Sequence, residues 1–421
     1  MPAHSLDSLP TWTLLPFGTL VLCMAVLPML WPSAWEKRWF QALIVLACAT
    51  PVVWFFLGIG QGERVLHAAS GYAAFIATLT ALFVTTGGVF ASGDFEATPR
   101  TNVGFLLLGS LLASVVGTTG ASMLMIRPFL RTNSQREHTA HLVPFMILAV
   151  ANAGGLLTPL GDPPLLVGFI GGVPFFWTLR LFPVWLLYVG SFALALYFID
   201  RRAYARESEA VRARDRSQRE SLKVQGYRNL VLLVSIVPLA FLPAGYREVA
   251  MLGVAATSYF GTPRALHALN GFSLAPIVEV GLLFAGLFAC LVPVELGLGA
   301  RAHELPLKES WQLFWVSGGL SALLDNAPTY AAFVALGRGL SHGQPDLVAG
   351  IEPLKLAAVS AGSVVMGATT YIGNGPNLML KAVAERAGYT LPTFLRYALF
   401  AFAAMLPAHL LMTLAFVCLE R

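Results

Sequence analysis

Charge is what this sequence has least of. Asp, Glu, Lys and Arg together make up 12% of the 421 residues, against about a quarter in soluble globular domains. With apolar runs of roughly twenty residues and a mean hydropathy of +0.70, that scarcity excludes a water-soluble fold and requires a polytopic membrane protein. Cysteine is equally sparse. Cys23, Cys48, Cys290 and Cys418 lie in separate apolar stretches and form no CxxC or Cys/His set, which excludes a disulfide framework and a structural metal site. No Gly-x-x-x-x-Gly-Lys-Ser/Thr loop is present, so no nucleotide hydrolysis is expected of the chain. The N-terminus lacks a basic n-region, and 14–30 reads as a retained first span rather than a cleaved signal. The net charge of +5 does not point to nucleic acid, because the basic residues flank the apolar runs.

The apolar runs predict an all-α polytopic membrane protein with about ten transmembrane helices. The spans are 12–31, 39–59, 66–91, 142–170, 180–199, 228–243, 249–262, 275–294, 356–386 and 395–418. Two further stretches, 102–131 and 310–340, are each two short apolar arms around a small polar tip. The tips are Gly117-Thr118-Thr119-Gly120-Ala121-Ser122 and Leu324-Asp325-Asn326-Ala327-Pro328-Thr329. Such arms fall short of the roughly twenty residues a crossing needs, so both stretches are expected to be re-entrant hairpins.

Two spans are interrupted at matching places. Asn152-Ala153-Gly154-Gly155-Leu156-Leu157-Thr158-Pro159-Leu160-Gly161-Asp162-Pro163-Pro164 breaks one, and 367–377 breaks the other, with Gly161-Asp162-Pro163-Pro164 aligned on Gly373-Asn374-Gly375-Pro376. Proline has no N–H to continue a helix. The opened backbone must then be satisfied by protein or by a watery cavity, and in transporters such places bind the cargo.

The loop 200–228 holds nine basic residues and is expected to be cytoplasmic. Counting spans outward puts 19 of the 27 Lys and Arg residues on that side and both termini outside, in a cell inner membrane. The two hairpins then enter from opposite faces, as an inverted repeat requires. The expected organisation is N-terminal scaffold helices (1–65), a first transport repeat (66–199), a linker with connecting helices (200–274) and a second transport repeat (275–421). The mixed acids of the linker, Glu207, Glu209, Asp215 and Glu220, favour a short amphipathic surface helix in it.

Asn152, Thr158, Asp162, Asp325, Asn326, Asn374 and Asn377 are the candidate ion ligands. Freed carbonyls and these oxygens suit a hard cation such as Na⁺, and a buried carboxylate can carry H⁺ instead. The alternative reading of Asp162 and of Asp325 is a helix N-cap. Thr118, Thr119, Ser122, Thr329, Thr369 and Thr370 are expected to line the site. Gly154, Gly155, Pro159, Gly161, Pro163, Gly373, Gly375 and Pro376 are expected to open the backbone. Glu279 and Glu295 read as interfacial anchors, Arg127 and Lys381 as snorkelling side chains, and His409 as a packing residue. Trp12, Trp31, Trp35, Trp39, Trp54, Trp177 and Trp185 read as membrane-interface anchors. An intramembrane aspartyl protease would need Gly-x-Gly-Asp, whereas this chain has Pro159-Leu160-Gly161-Asp162.

The paired hairpins, the paired breaks and Asn152-Ala153-Gly154-Gly155-x-x-Thr158-Pro159-x-Gly161-Asp162 resemble the ion transporter superfamily across nearly the whole chain. The first break looks especially like the NhaD-type sodium/proton antiporters and the citrate-transporter branch, and Leu324-Asp325-Asn326-Ala327-Pro328 looks like the matching second-hairpin signature. The resemblance implies Na⁺ or H⁺ coupling, a site between hairpin tips and breaks, and the homodimer common in that superfamily; no resident cofactor is expected. It departs from the dicarboxylate carriers, whose tips both read Ser-Asn-Thr. An aspartate at a tip repels an organic anion and suits a cation. A sodium/proton antiporter is the leading expectation, with sodium-coupled uptake of citrate or another organic anion as the alternative.

Overall fold

The computed structural model describes residues 9–420. It is almost entirely helical. Among the described residues seven helices are long and apolar enough to cross a membrane: Thr11–Leu30, Arg38–Gly58, Gly62–Gly87, Pro99–Val116, Phe175–Ala205, Ala275–Ala300 and Phe394–Leu419. Six of them are expected spans, the seventh, Pro99–Val116, is the first arm of an expected hairpin, and the other four expected spans form shorter helices. The runs at 228–243 and 249–262 form only Tyr227–Leu239 and Tyr246–Gly261, and the two interrupted runs are split into shorter pieces.

Each interruption falls where the sequence places it. The first run is helical over Leu142–Ala149, passes through a 3-10 turn at Ala153–Leu157, and restarts as Pro163–Ile170. The second is helical over Pro353–Val365, turns at Met366–Thr369, and restarts as Gly375–Arg386. Both restarts carry proline in the first two helical positions, where a missing N–H costs no hydrogen bond.

The stretch 102–131 is two helices, Pro99–Val116 and Thr118–Thr132, that meet at Gly117. Gly117 has φ +83°, a left-handed conformation that glycine adopts without a Cβ clash. The first arm is longer than expected: Thr98 Oγ1 accepts from the Thr101 N–H and starts it early, giving 18 residues. The second hairpin is Ser310–Ser321 and Asn326–Leu340.

The two hairpins exchange partners. Pro99–Val116 packs on the first break, but the second arm of that hairpin packs on Gly375–Arg386. Ser310–Ser321 packs on Pro353–Val365, and Asn326–Leu340 packs on Pro163–Ile170. Around them, Leu15–Leu30, Arg38–Gly58 and Gly62–Gly87 gather on Ala275–Ala300 in a separate apolar cluster. Phe75 stacks on Phe284 there, with ring centroids 4.6 Å apart.

The all-α expectation fails at one place. Phe90–Asp94 (β1) and Glu220–Gln225 (β2) pair antiparallel, with Ala91 opposite Val224 and Ser92 opposite Lys223. The expected surface helix of the linker is present as Glu209–Ser217. The ribbon ties that linker to the open end of the first hairpin, where Arg131 pairs with Glu220 at 2.6 Å.

The tryptophans divide. Trp12, Trp31, Trp39 and Trp54 are exposed, as membrane-interface residues are. Trp35, Trp177 and Trp185 are instead buried in the helix packing.

Candidate functional site

Asp162 is the centre of the arrangement. It precedes Pro163 and occupies the N-cap position of the restarted helix, but its side chain makes no capping hydrogen bond. The carboxylate turns inward and is 2% exposed. Oδ1 accepts from Thr118 Oγ1 at 2.7 Å and from Asn374 Nδ2 at 3.4 Å; Oδ2 accepts from Asn326 Nδ2 at 2.6 Å. The tip of the first hairpin, the tip of the second and the second break thus meet on one carboxylate contributed by the first break.

The asparagines extend this cluster. Asn374 Nδ2 also donates to Asn152 Oδ1 at 3.2 Å and to the Ala151 carbonyl at 2.9 Å. Asn152 Nδ2 donates to Asn377 Oδ1 at 2.8 Å and to the Ile147 carbonyl at 2.8 Å. Asn377 Nδ2 in turn satisfies the carbonyls of Gly367 and Thr370 at 3.0 and 2.9 Å. Two breaks more than 200 residues apart are held together by side-chain amides buried within a few per cent of completely.

Both breaks are built alike. Thr158 Oγ1 donates to the Ser114 carbonyl and accepts from the Leu160 N–H. Thr370 Oγ1 donates to the Ala322 carbonyl at 2.6 Å and accepts from the Ile372 N–H. In the first break a Cβ on Gly161 would lie 2.1 Å from the Gly155 carbonyl oxygen; in the second a Cβ on Gly373 would lie 2.5 Å from that of Gly367. Gly154 lies against the Ser110 backbone, and a Cβ on Gly155 would meet Thr118 and Asp162. Only glycine fits at these crossings. Gly375 has open space around it, so close approach does not explain it. Pro159 sits in the turn between the 3-10 segment and Asp162.

Other candidates fall outside the cluster. Asp325 is the N-cap of Asn326–Leu340, and its Oδ1 accepts from the Ala327 N–H at 3.1 Å. No hydrogen bond joins it to Asp162. Thr329 Oγ1 donates to the Asp325 carbonyl at 3.0 Å, within its own helix. Ser122 is fully buried and its Oγ has no partner. Thr369 is half-buried, and Thr119 lines a cavity that Asp162 does not line. Arg127 lines that same cavity with its Nε buried and unpartnered.

The remaining polar candidates have structural partners. Glu279 pairs with Arg38 at 2.9 Å, Glu295 with Arg338 at 3.6 Å and Lys381 with Glu385 at 2.6 Å. His409 Nδ1 bonds to the Tyr188 hydroxyl at 2.6 Å within the packing of three helices.

The sequence reading missed Ser114 and Ser321. Ser114 Oγ donates to the Gly154 carbonyl at 2.5 Å, and Ser321 Oγ donates to the Ser363 carbonyl at 2.5 Å. The available signal was a small hydroxyl about one helical turn before each tip, four residues before Thr118 and five before Asn326.

Asp162 therefore meets only neutral donors. Among the described residues every ion pair lies elsewhere. An ionised carboxylate buried without a counter-charge is costly, and it is relieved by binding a cation or a proton. Asn326 Oδ1, on the amide that touches Asp162, is also buried without a partner. The oxygens in the cluster are carboxylate, amide and hydroxyl, with no thiol or imidazole, and oxygens of this kind suit a hard cation over a soft one.

No curated protein matches the chain significantly. A family model described as putative citrate transport matches residues 6–417. With that match covering nearly the whole chain, the protein belongs to the citrate-transport family and is a multi-pass membrane transporter.

Proposed function

We propose that the protein is a secondary transporter that exchanges Na⁺ for H⁺ by alternating access, with Asp162 as the shared carrier. The observation that carries this reading is the buried Asp162 carboxylate, held by Thr118, Asn326 and Asn374 with no cationic side chain bonded to it. One carboxylate that takes either ion in turn couples the two, because neither can bind while the other is present. Thr118 Oγ1 and, once its amide turns over, Asn326 Oδ1 would be the neutral oxygens that join it on Na⁺. Asp325, one residue from Asn326, adds negative charge at the second tip.

The hairpins are proposed to be re-entrant and the two halves to form an inverted repeat. What supports this is the exchange of partners, with each hairpin's second arm against the other half's broken helix, and the matching Thr158 and Thr370 bonds. Asn374 answers Asp162 in the second half, so the pair is one acid and one amide. The excess of Lys and Arg supports placing the β1–β2 end and the 200–228 linker at the cytoplasmic face of the inner membrane.

Sodium-coupled citrate uptake is the second reading, favoured by the family's description. Proteoliposomes containing a pH dye separate the two. Proton movement driven by Na⁺ alone, strongly reduced in Asp162→Asn, is expected of the exchanger. Sodium entry that requires citrate, with no proton movement in its absence, would replace the first reading with the second.

A further inference from the structure

Two cavities adjoin between the tip of the first hairpin, at Thr119 and Gly120, and the end of the molecule that carries the β ribbon, and Asp162 lines neither. One, of about 290 Å³, lies between Gly62–Gly87, the second arm of the first hairpin, the Asn270–Phe272 turn and the helix Gly375–Arg386. The other, of about 460 Å³, continues past Arg131 and Ser134 to Tyr389. Arg127 and Arg386 line both. Neither arginine has an ion-pair partner among the described residues, and Arg127 Nε is buried with no hydrogen bond at all. No carboxylate lines either cavity. Arg131, at the rim, is already paired with Glu220.

Two guanidiniums that line one space, one of them half-buried and the other exposed, with no acid among the lining residues, favour an anion there. A guanidinium offers a planar fork of donors that matches the oxygens of phosphate. The smaller cavity is walled mostly by apolar side chains, Phe83, Leu124, Phe272, Pro276 and Met379 among them, with the neutral polar Thr86, Thr119, Asn270 and Ser273 between. A ligand with an anionic phosphate head and a hydrocarbon body satisfies both surfaces, and basic pockets between membrane helices take acidic lipid headgroups in this way.

We propose that Arg127 and Arg386 form a phosphate-binding site, filled by the headgroup of an acidic phospholipid or by a free phosphate monoester. Its two arginines come from the first hairpin and from the second broken helix. The other ends of these elements bring Thr118 and Asn374 to Asp162. The bound phosphate clamps the two elements together and ties them to the Asn270 turn, whose Nδ2 holds the Gly87 and Val89 carbonyls at 2.7 and 2.8 Å. This site is independent of which ion Asp162 carries.

Native mass spectrometry of the full-length protein in detergent tests it. The probes are phosphatidylglycerol, phosphatidylcholine, glycerol 3-phosphate and inorganic phosphate. Wild type is expected to retain phosphatidylglycerol or a soluble phosphate at least tenfold more than R127Q/R386Q does. R127K/R386K should restore part of the binding, and R201Q/R202Q, exposed near the end of the helix Phe175–Ala205, should leave it unchanged. Retention of the lipid identifies the headgroup as the source; binding of glycerol 3-phosphate or inorganic phosphate without lipid identifies a soluble one. Equal retention by wild type and R127Q/R386Q, or a wild type that binds neither phosphatidylglycerol nor a soluble phosphate, would overturn the assignment.

Discussion

Replacing Asp162 by Asn tests the centre of the site without dismantling it. Asn is nearly isosteric. Its carbonyl can take the place of Oδ1 and keep the bonds from Thr118 Oγ1 and Asn374 Nδ2. Its amide then faces Asn326 at the Oδ2 position, where two donors would meet at 2.6 Å. Asn326 has an answer, because its own Oδ1 is without a partner and a flip of its amide turns the clash into a hydrogen bond. The structural cost is then a rearranged bond, on the order of 1 kcal/mol. The functional cost is the charge. A unit charge 4 Å away is worth about 4 kcal/mol at an effective dielectric of about 20. If half of that is offset by dehydration, the remaining ~2 kcal/mol weakens cation binding about 30-fold. The expected result in proteoliposomes is exchange reduced at least 30-fold at low Na⁺, with a thermal midpoint in detergent within a few degrees of wild type. Exchange at the wild-type rate would refute Asp162 as the carrier. A variant that cannot be purified folded would refute the bond-by-bond account of the site.

Gly161→Ala and Gly373→Ala should each cost about 3 kcal/mol or prevent assembly, because the new Cβ meets a backbone oxygen that cannot move aside. Gly375→Ala, in open space, should be tolerated within about 0.5 kcal/mol, and thermal unfolding in detergent compares the three. Asp325→Asn keeps a good N-cap and removes only charge, so stability should hold within about 0.5 kcal/mol while exchange falls by less than in Asp162→Asn. Loss of exchange equal to that of Asp162→Asn would make Asp325 a second carrier.

Glu207 supplies a pH prediction at the linker. Burial raises its carboxyl, but the N–H groups of His138 and Glu137 and the charge of Arg136 outweigh burial and hold it below the usual glutamate value. A lowered folded value means the stabilisation is complete above the unfolded value of about 4.3 and disappears as pH falls through the folded one. Glu207→Gln should lower the thermal midpoint at pH 7 and lose less than wild type between pH 5 and pH 3. Parallel acid curves for the two proteins would refute this.

Much of this architecture is written in the order of residue types. Scarce charge and long apolar runs require membrane-crossing helices, since only a helix satisfies its own backbone in lipid. Proline after Gly-Asp and Gly-Asn-Gly marks both restarts, because proline's missing N–H and fixed φ are local properties. Gly117 fixes the first turn for the same local reason. Boundaries were less legible. The length of Pro99–Val116 depends on a cap at Thr98, and the β1–β2 pair joins segments that give no strand pattern of their own. Buried Trp177 and Trp185 show that an aromatic residue near a span end is placed by its neighbours, not by its type.

The sequence by itself determined that this is a membrane transporter chain with two opened helices, and it singled out Asp162, Asp325 and the asparagines as the polar groups that lipid cannot accommodate. Only the tertiary structure separated the two aspartates. Each precedes a helix start, and each could cap it. Asp325 does so through Ala327, whereas Asp162 is reached by Thr118, Asn326 and Asn374 from three other segments and gives up its cap to accept from them. A cap is a bond between near neighbours and can be read along the chain. A shared carboxylate is a bond among segments far apart in sequence, and it exists only once the helices have packed.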